Sequence, residues 1–188
     1  MTQATSVQGA LTIPTLFTER LVLSGHRRED FDDFAAMWAE PEVTRYITGH
    51  ALSREECWGR FLRAVGHWAV LGFGYWIVRE RASGRFVGEV GLCDLARQLE
   101  PALRGVPDAG WILAPWAHGR GYATEATHAA LGWAQANLAL PRVLCLIDPQ
   151  NTASLAVAAR CQFAELTRTP YLGSEVVILA RALGATGT

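Results

Sequence analysis

A chain of 188 residues, half of them hydrophobic and 19% charged, has the size and balance of one globular domain with a substantial core, which excludes a disordered segment. The formal net charge of −1 supplies no global positive field, so neither nucleic acid nor anionic lipid is expected as a main partner. Cys57, Cys93, Cys145 and Cys161 lie far apart, with no C-x-x-C pair and no histidine at zinc spacing; no disulfide framework and no metal site are expected, and a reducing cytoplasm suits them.

Residues 1–15 are small and polar and read as a loose arm. They carry no charged segment followed by a long apolar run, so no secretory signal is expected. Residues 20–23 read as a short strand. Between residues 30 and 40, Phe31, Phe34, Ala35, Met37 and Trp38 fall close to helical spacing, and Pro41 reads as the stop. Ser53 and Glu56 form a capping box ahead of a helix through Trp58, Phe61, Leu62 and Val65. The apolar stretch at 65–77 is broken by Gly66, His67, Gly72 and Gly74, too short and interrupted to span a membrane.

Residues 75–79 and 85–92 read as strands joined at Ala82-Ser83-Gly84, a hairpin by composition. Residues 96–107 form a loop and 108–113 a third strand, ended by Pro115. Residues 122–138 place Ala126, Ala129, Ala130, Trp133 and Ala134 on one apolar helix face. Residues 142–147 are nearly all apolar, as in a strand buried on both faces. A helix at 151–160 and strands at 163–169 and 175–180 complete the order β-α-α-β-β-β-α-β-α-β-β. Residues 16–183 thus read as a single domain without internal repeats.

The segment 108–126 carries the chemistry. A strand leads into a turn at 117–123 with Gly119 and Gly121, and a helix opens near Tyr122. Glycines permit left-handed backbone that turns several N–H groups to one side, and the helix adds its unpaired first-turn N–H groups and positive dipole end. Together they suit a pyrophosphate, with Arg120 adding charge at the rim. A dinucleotide fingerprint would need Gly or Ala where Thr124 stands, and a P-loop would need Gly-Lys-Ser/Thr at the helix start. From the glycines alone, a tight turn with no ligand stays an open alternative.

The wider pattern resembles the GNAT superfamily of N-acetyltransferases. Gly119-Arg120-Gly121-Tyr122-Ala123-Thr124-Glu125-Ala126 is similar to its acetyl-CoA signature. The likeness is closest to the ribosomal-protein alanine acetyltransferase (RimJ/RimL-like) branch. Thr18-Glu19-Arg20-Leu21-Val22-Leu23 looks like that branch's opening strand, and residues 40–46 like the end of its first helix. Residues 84–92 look like its third strand, and Asn151-Thr152-Ala153-Ser154 like the start of its fourth helix. The resemblance implies an α+β fold with a mixed, mostly antiparallel sheet splayed between the fourth and fifth strands. Acetyl-CoA would bind in the gap as co-substrate, with no metal.

By this resemblance, backbone groups of Trp111, Ile112 and Leu113 would pair with the pantetheine. His118, Gly119, Arg120, Gly121, Tyr122 and Ala123 would hold the pyrophosphate, and Asn151 would bond the arm near its thiol end. His118 stands where the family commonly has Gln or Arg, so the expectation there rests on backbone donation. Asp108 matches the acidic residue that opens the fourth strand; it is one methylene shorter than the usual Glu, so it would act as base through a bridging water. Glu89 is a second candidate base. The usual acid, a Tyr seven residues after the helix-opening Asn, is Ala158 here; Ser154 matches the branch's thiolate-protonating Ser and could equally cap the helix. Tyr171 is a substrate-side donor candidate.

The implied activity is direct acetyl transfer in a ternary complex to a primary amine, on a small molecule or a protein N-terminus, by a cytoplasmic monomer or homodimer. The alternative is an acyl-CoA-binding regulatory module with little turnover. A nicotinamide-dependent oxidoreductase is opposed by Thr124 and by the element order.

Overall fold

The computed structural model describes residues 12–99 and 103–184. In chain order the strands are β1 (Leu16–Phe17), β2 (Leu21–Ser24), β3 (Tyr75–Glu80), β4 (Phe86–Cys93), β5 (Asp108–Leu113), β6 (Arg142–Ile147), β7 (Ala164–Tyr171) and β8 (Ser174–Ala182). The helices are α1 (Phe31–Trp38), α2 (Pro41–Thr44), α3 (Arg54–Leu71), α4 (Tyr122–Asn137) and α5 (Thr152–Arg160), with 3-10 turns at Arg28–Asp30 and Pro115–Ala117. Local chemistry sets several of these bounds. Ser53 caps α3 by accepting from the Glu56 N–H at 3.3 Å while Glu56 accepts from the Ser53 N–H at 2.8 Å, the reciprocal box read from the sequence. Gly72, left-handed at φ 74°, ends the same helix.

Two elements escape the sequence reading. β1 is too short for a periodic signal. At Pro41 the sequence reads as a stop, yet Pro41 is also the first residue of α2, because proline's fixed φ suits a helix start as well as barring a continuation. Of the expected arm, residues 1–11 lie outside the described residues. Residues 12–15 are tied down: Ile13 packs on the core and the Pro14 carbonyl accepts from Trp76 Nε1 at 2.8 Å.

The strands form one sheet in the order β1-β2-β3-β4-β5-β6-β8-β7. Neighbours are antiparallel except β5 and β6, which run parallel and share one register pair, Asp108 with Leu144. β4 and β5, by contrast, pair along the whole of β5, from Gly88 against Leu113 to Cys93 against Asp108. The sheet is continuous up to β5 and then parts. This is the expected splay, displaced one strand in number because β1 precedes it.

The helices α1 and α3 cover one face, burying Phe31, Phe34, Trp38 and Phe61 against Ile77 and Phe86. Helix α4 covers the other, burying Tyr122, Ala126 and Ala130 against Val78, Val87, Val90 and Leu113. Helix α5 completes the core beyond the gap with Ala158 against Val143, Cys145, Phe163 and Val177. One irregularity shapes the face under α1 and α3. The register between β3 and β4 shifts by a residue at Val87: Val78 opposes Gly88, but Arg79 opposes Phe86. The bulge resets the alternation of β4, so Glu89, cross-strand from Ile77 and Ile112, faces α1 and α3. Gly88 is required there, since a Cβ would lie 2.1 Å from the Ile112 carbonyl oxygen.

Candidate active site

The turn after β5 is built almost entirely from backbone. The 3-10 turn uses the N–H groups of Ala117 and His118, which donate to Ala114 and Pro115 carbonyls. Gly119 and Gly121 then take left-handed φ values of 71° and 79°, and Gly121 is the N-cap of α4 with no side-chain cap. Among the described residues, no backbone N–H from 119 to 124 finds a protein acceptor. A cluster of free donors at a helix N-terminus is an anion site. The N–H of His118 is not one of them, so the donor set runs one residue further along the chain than the sequence implies.

The splay exposes a second set of donors. The Ala114 N–H donates to Val87 at 2.9 Å. By antiparallel alternation the backbone of Ile112 therefore faces β4, and that of Trp111 and Leu113 faces the gap. Ile112 contributes its side chain, not its peptide group, to the site. The Leu113 carbonyl is also taken, by His118 Nε2 at 2.9 Å. The Trp111 N–H and C=O and the Leu113 N–H remain directed into the gap.

A cleft of about 960 Å³ follows the gap. Its walls include Trp111, Ile112, Leu113, His118, Gly119, Gly121, Tyr122, Ala123, Asn151 and Ser154, so most sequence-predicted residues converge on one cavity. Val43 and Tyr46 close it from the α2 side. At its inner end Asn151 caps α5 by accepting from the Ser154 N–H at 3.1 Å, as its place at the helix start predicts. The Ser154 hydroxyl oxygen accepts from Trp111 Nε1 at 3.3 Å across the splay. With one lone pair so engaged, its O–H hydrogen is left to donate into the cleft.

Four expected residues stand elsewhere. Asp108 opens β5 but is not in the cleft wall. It is buried, and its Oδ2 accepts from Arg97 Nε at 2.5 Å. Arg97 Nη1 also donates to the Tyr171 hydroxyl at 3.0 Å, so the two candidates are tied into one structural cluster. Burial pushes the Asp108 carboxyl up, against the pull of Arg97. The Arg120 side chain turns away from the cleft: its Nε donates to the Trp116 carbonyl at 3.1 Å. Glu89 is buried beneath α1, accepting from Trp38 Nε1 at 3.2 Å.

The sequence reading overlooks the residues that hold the turn. Glu125 accepts from the Thr18 hydroxyl at 2.6 Å, the Arg20 N–H at 2.9 Å and Arg20 Nε at 2.7 Å. Arg20 Nη1 donates to the Arg120 carbonyl inside the turn at 2.9 Å, and its guanidinium lies 4.7 Å from the Tyr122 ring centroid. Burial opposes ionisation of Glu125, but the Thr18 and Arg20 hydrogen bonds hold its pKa below the ordinary value. Thr18, Arg20 and Glu125 sit inside the two quoted motifs, and only their separation in sequence hides the contact.

This splayed sheet with its donor-lined cleft has counterparts. The acetyltransferase (GNAT) domain family model matches residues 20–164, and the chain belongs to that family. A GNAT-family acetyltransferase structure from Bordetella pertussis is 30% identical, with a TM-score of 0.80 over 90% of this chain and all of that one. The Bacillus subtilis protein YkkB, itself uncharacterized, is 29% identical over 77% of this chain and 82% of its own length. A structure of RimL, the ribosomal L7/L12 α-N-protein acetyltransferase, in complex with coenzyme A shares the fold at 16% identity. Its TM-score is 0.71, over 88% of this chain and 95% of that one.

Proposed function

We propose that the chain transfers an acetyl group from acetyl-CoA to a primary amine, directly and within a ternary complex. The observation that carries this reading is the single register pair between β5 and β6, which leaves strand-edge donors facing a cleft whose far end carries the free N–H groups of 119–124. The turn would bind the pyrophosphate, and Trp111 and Leu113 would pair with the pantetheine. The acetyl-CoA thioester supplies the activated acyl group. RimL in complex with coenzyme A supports the choice of co-substrate through the shared fold.

The chain's own residues then handle orientation and protons. Asn151 fixes the first turn of α5 and so the position of Ser154. Ser154, oriented by the Trp111 indole, donates its proton to the leaving thiolate and regains one from the attacking nitrogen through solvent. The incoming amine must be neutral to attack. At pH 7 that costs an α-amine about 1 kcal/mol and a lysine amine about 4–5 kcal/mol, so an α-amine asks for little base catalysis. Direct transfer is supported by the burial of all four thiols, which pushes Cys161 up to about 11; a protonated thiol does not carry an acyl group.

The test is acetyl transfer to an amine panel, with acetyl-CoA affinity measured by calorimetry. Ser154→Ala is expected to lower kcat about 100-fold with acetyl-CoA affinity kept, and Trp111→Phe to lower it about 3- to 10-fold by removing one hydrogen bond. No binding of acetyl-CoA would end the reading. Binding without turnover of any amine would replace it with the regulatory acyl-CoA-binding module.

A further inference from the structure

The side of the sheet facing α1 and α3 carries a cation with no direct ion-pair partner among the described residues. Arg60 of α3 is half-buried, and its guanidinium lies 4.1 Å from the Trp38 ring centroid. Among the described residues no hydrogen-bond acceptor or carboxylate reaches it. Three other arginines are each paired with a carboxylate: Arg54 with Asp32 at 2.6 Å, Arg79 with Asp30 at 2.7 Å, and Arg97 with Asp108. Burial first, and then the like charge of Arg63, pull the Arg60 guanidinium below the ordinary arginine value. A half-buried guanidinium that stacks on an aromatic ring while its N–H fork stays unfilled is suited to a planar anion arriving from outside.

Glu89 supplies the opposite pole of the same indole. Its carboxylate accepts from Trp38 Nε1 on the ring edge and lies 3.5 Å from the buried His26 ring, so it is engaged by residues other than Arg60. Glu89 is also the cross-strand partner of Ile112, a wall of the acetyl-CoA cleft. A positive and a negative group thus flank Trp38, one strand away from the gap.

We infer that Arg60 is the anion subsite of the acyl acceptor, and that the acceptor is a small amine carrying its own carboxylate, such as a free amino acid. The carboxylate pairs with the Arg60 fork and the amine lies on the Glu89 side, toward the cleft. A polyamine would bring cations against Arg60, and a protein N-terminus has no α-carboxylate to offer. This inference rests on the acetyltransferase reading, which it narrows to one acceptor class.

The experiment compares acetylation of free amino acids with that of their carboxamides and decarboxylated amines, using acetyl-CoA and the full-length protein. Loss of one charge-assisted pair predicts that kcat/KM for the best amino acid exceeds that for its amide by about 10- to 100-fold. Arg60→Gln should collapse this ratio to within about threefold, and Arg60→Lys should restore part of it. Acetyl-CoA affinity of each variant, by calorimetry, shows that the fold and cofactor site persist. A wild-type ratio near or below one overturns the inference without any variant, as does acetyl-CoA binding with no amino acid acetylated, or an Arg60→Gln ratio equal to wild type. Failure of the wild-type protein to bind acetyl-CoA would instead remove the underlying acetyltransferase reading.

Discussion

The two sides of β5 are built on different physical plans. Toward β6, the site is backbone: strand-edge groups of Trp111 and Leu113, then the N–H groups of 119–124, all within one stretch of chain. Toward α1 and α3, the sheet carries side-chain charge: Glu89, Arg60, and the Arg97–Asp108 pair, gathered from four separate segments. Backbone donors are nearly independent of which side chains surround them, so this edge can hold a cofactor common to a whole family. Buried charges depend on each partner, so the structure of the opposite face is more easily upset.

The largest expected effect tests that fragility. Arg97→Met leaves the Asp108 carboxylate buried without its cation, which should cost about 3 kcal/mol of unfolding free energy at pH 7. Burial already raises the Asp108 pKa in the intact pair. Without Arg97 the folded-state value rises further, so the loss should shrink as pH falls below it, because a protonated carboxyl needs no counter-ion. Chemical denaturation at several pH values measures this. In parallel, Asp108→Asn should keep kcat within about threefold; a hundredfold loss in a folded variant would return Asp108 to the role of base and blur the contrast between the two sides.

Gly121→Val probes the backbone side. A β-branched residue at φ 79° adds about 1–2 kcal/mol of strain and moves the first N–H groups of α4. Acetyl-CoA affinity by calorimetry should fall about 10- to 100-fold. An unchanged affinity would show that the turn does not hold the pyrophosphate.

The smallest effect concerns the latch behind that turn. Glu125→Gln should cost about 1 kcal/mol at pH 7 by weakening the Arg20 and Thr18 hydrogen bonds. The Glu125 pKa is lowered in the folded state, so its contribution is present above the ordinary glutamate value and is lost as pH falls through the lowered one. Wild-type and variant melting curves should therefore converge in acid. A gap that persists there would assign the loss to packing instead of charge.

Much of the architecture was legible because it is written locally. The strand bounds at 108–113 and 142–147, the Ser53–Glu56 box and the Asn151 cap each depend on residues a few positions apart, and all appear in the structure as read. α2 was misread because one proline carries two meanings. The backbone of Ile112 was misassigned because alternation within a strand is visible in sequence, but which edge meets a partner is not.

What the sequence determined by itself was the side of β5 that faces β6: the strand bounds, the glycine turn and the cap that places Ser154, all products of short-range backbone preference. What only the tertiary structure decided was the side facing α1 and α3. Asp108 was drawn into an ion pair with Arg97, Glu89 was turned inward by the bulge at Val87, and Arg60 was stacked on Trp38. Those outcomes depend on which charges meet across the packed sheet and helices, and burial makes each meeting matter in a way that no local spacing encodes.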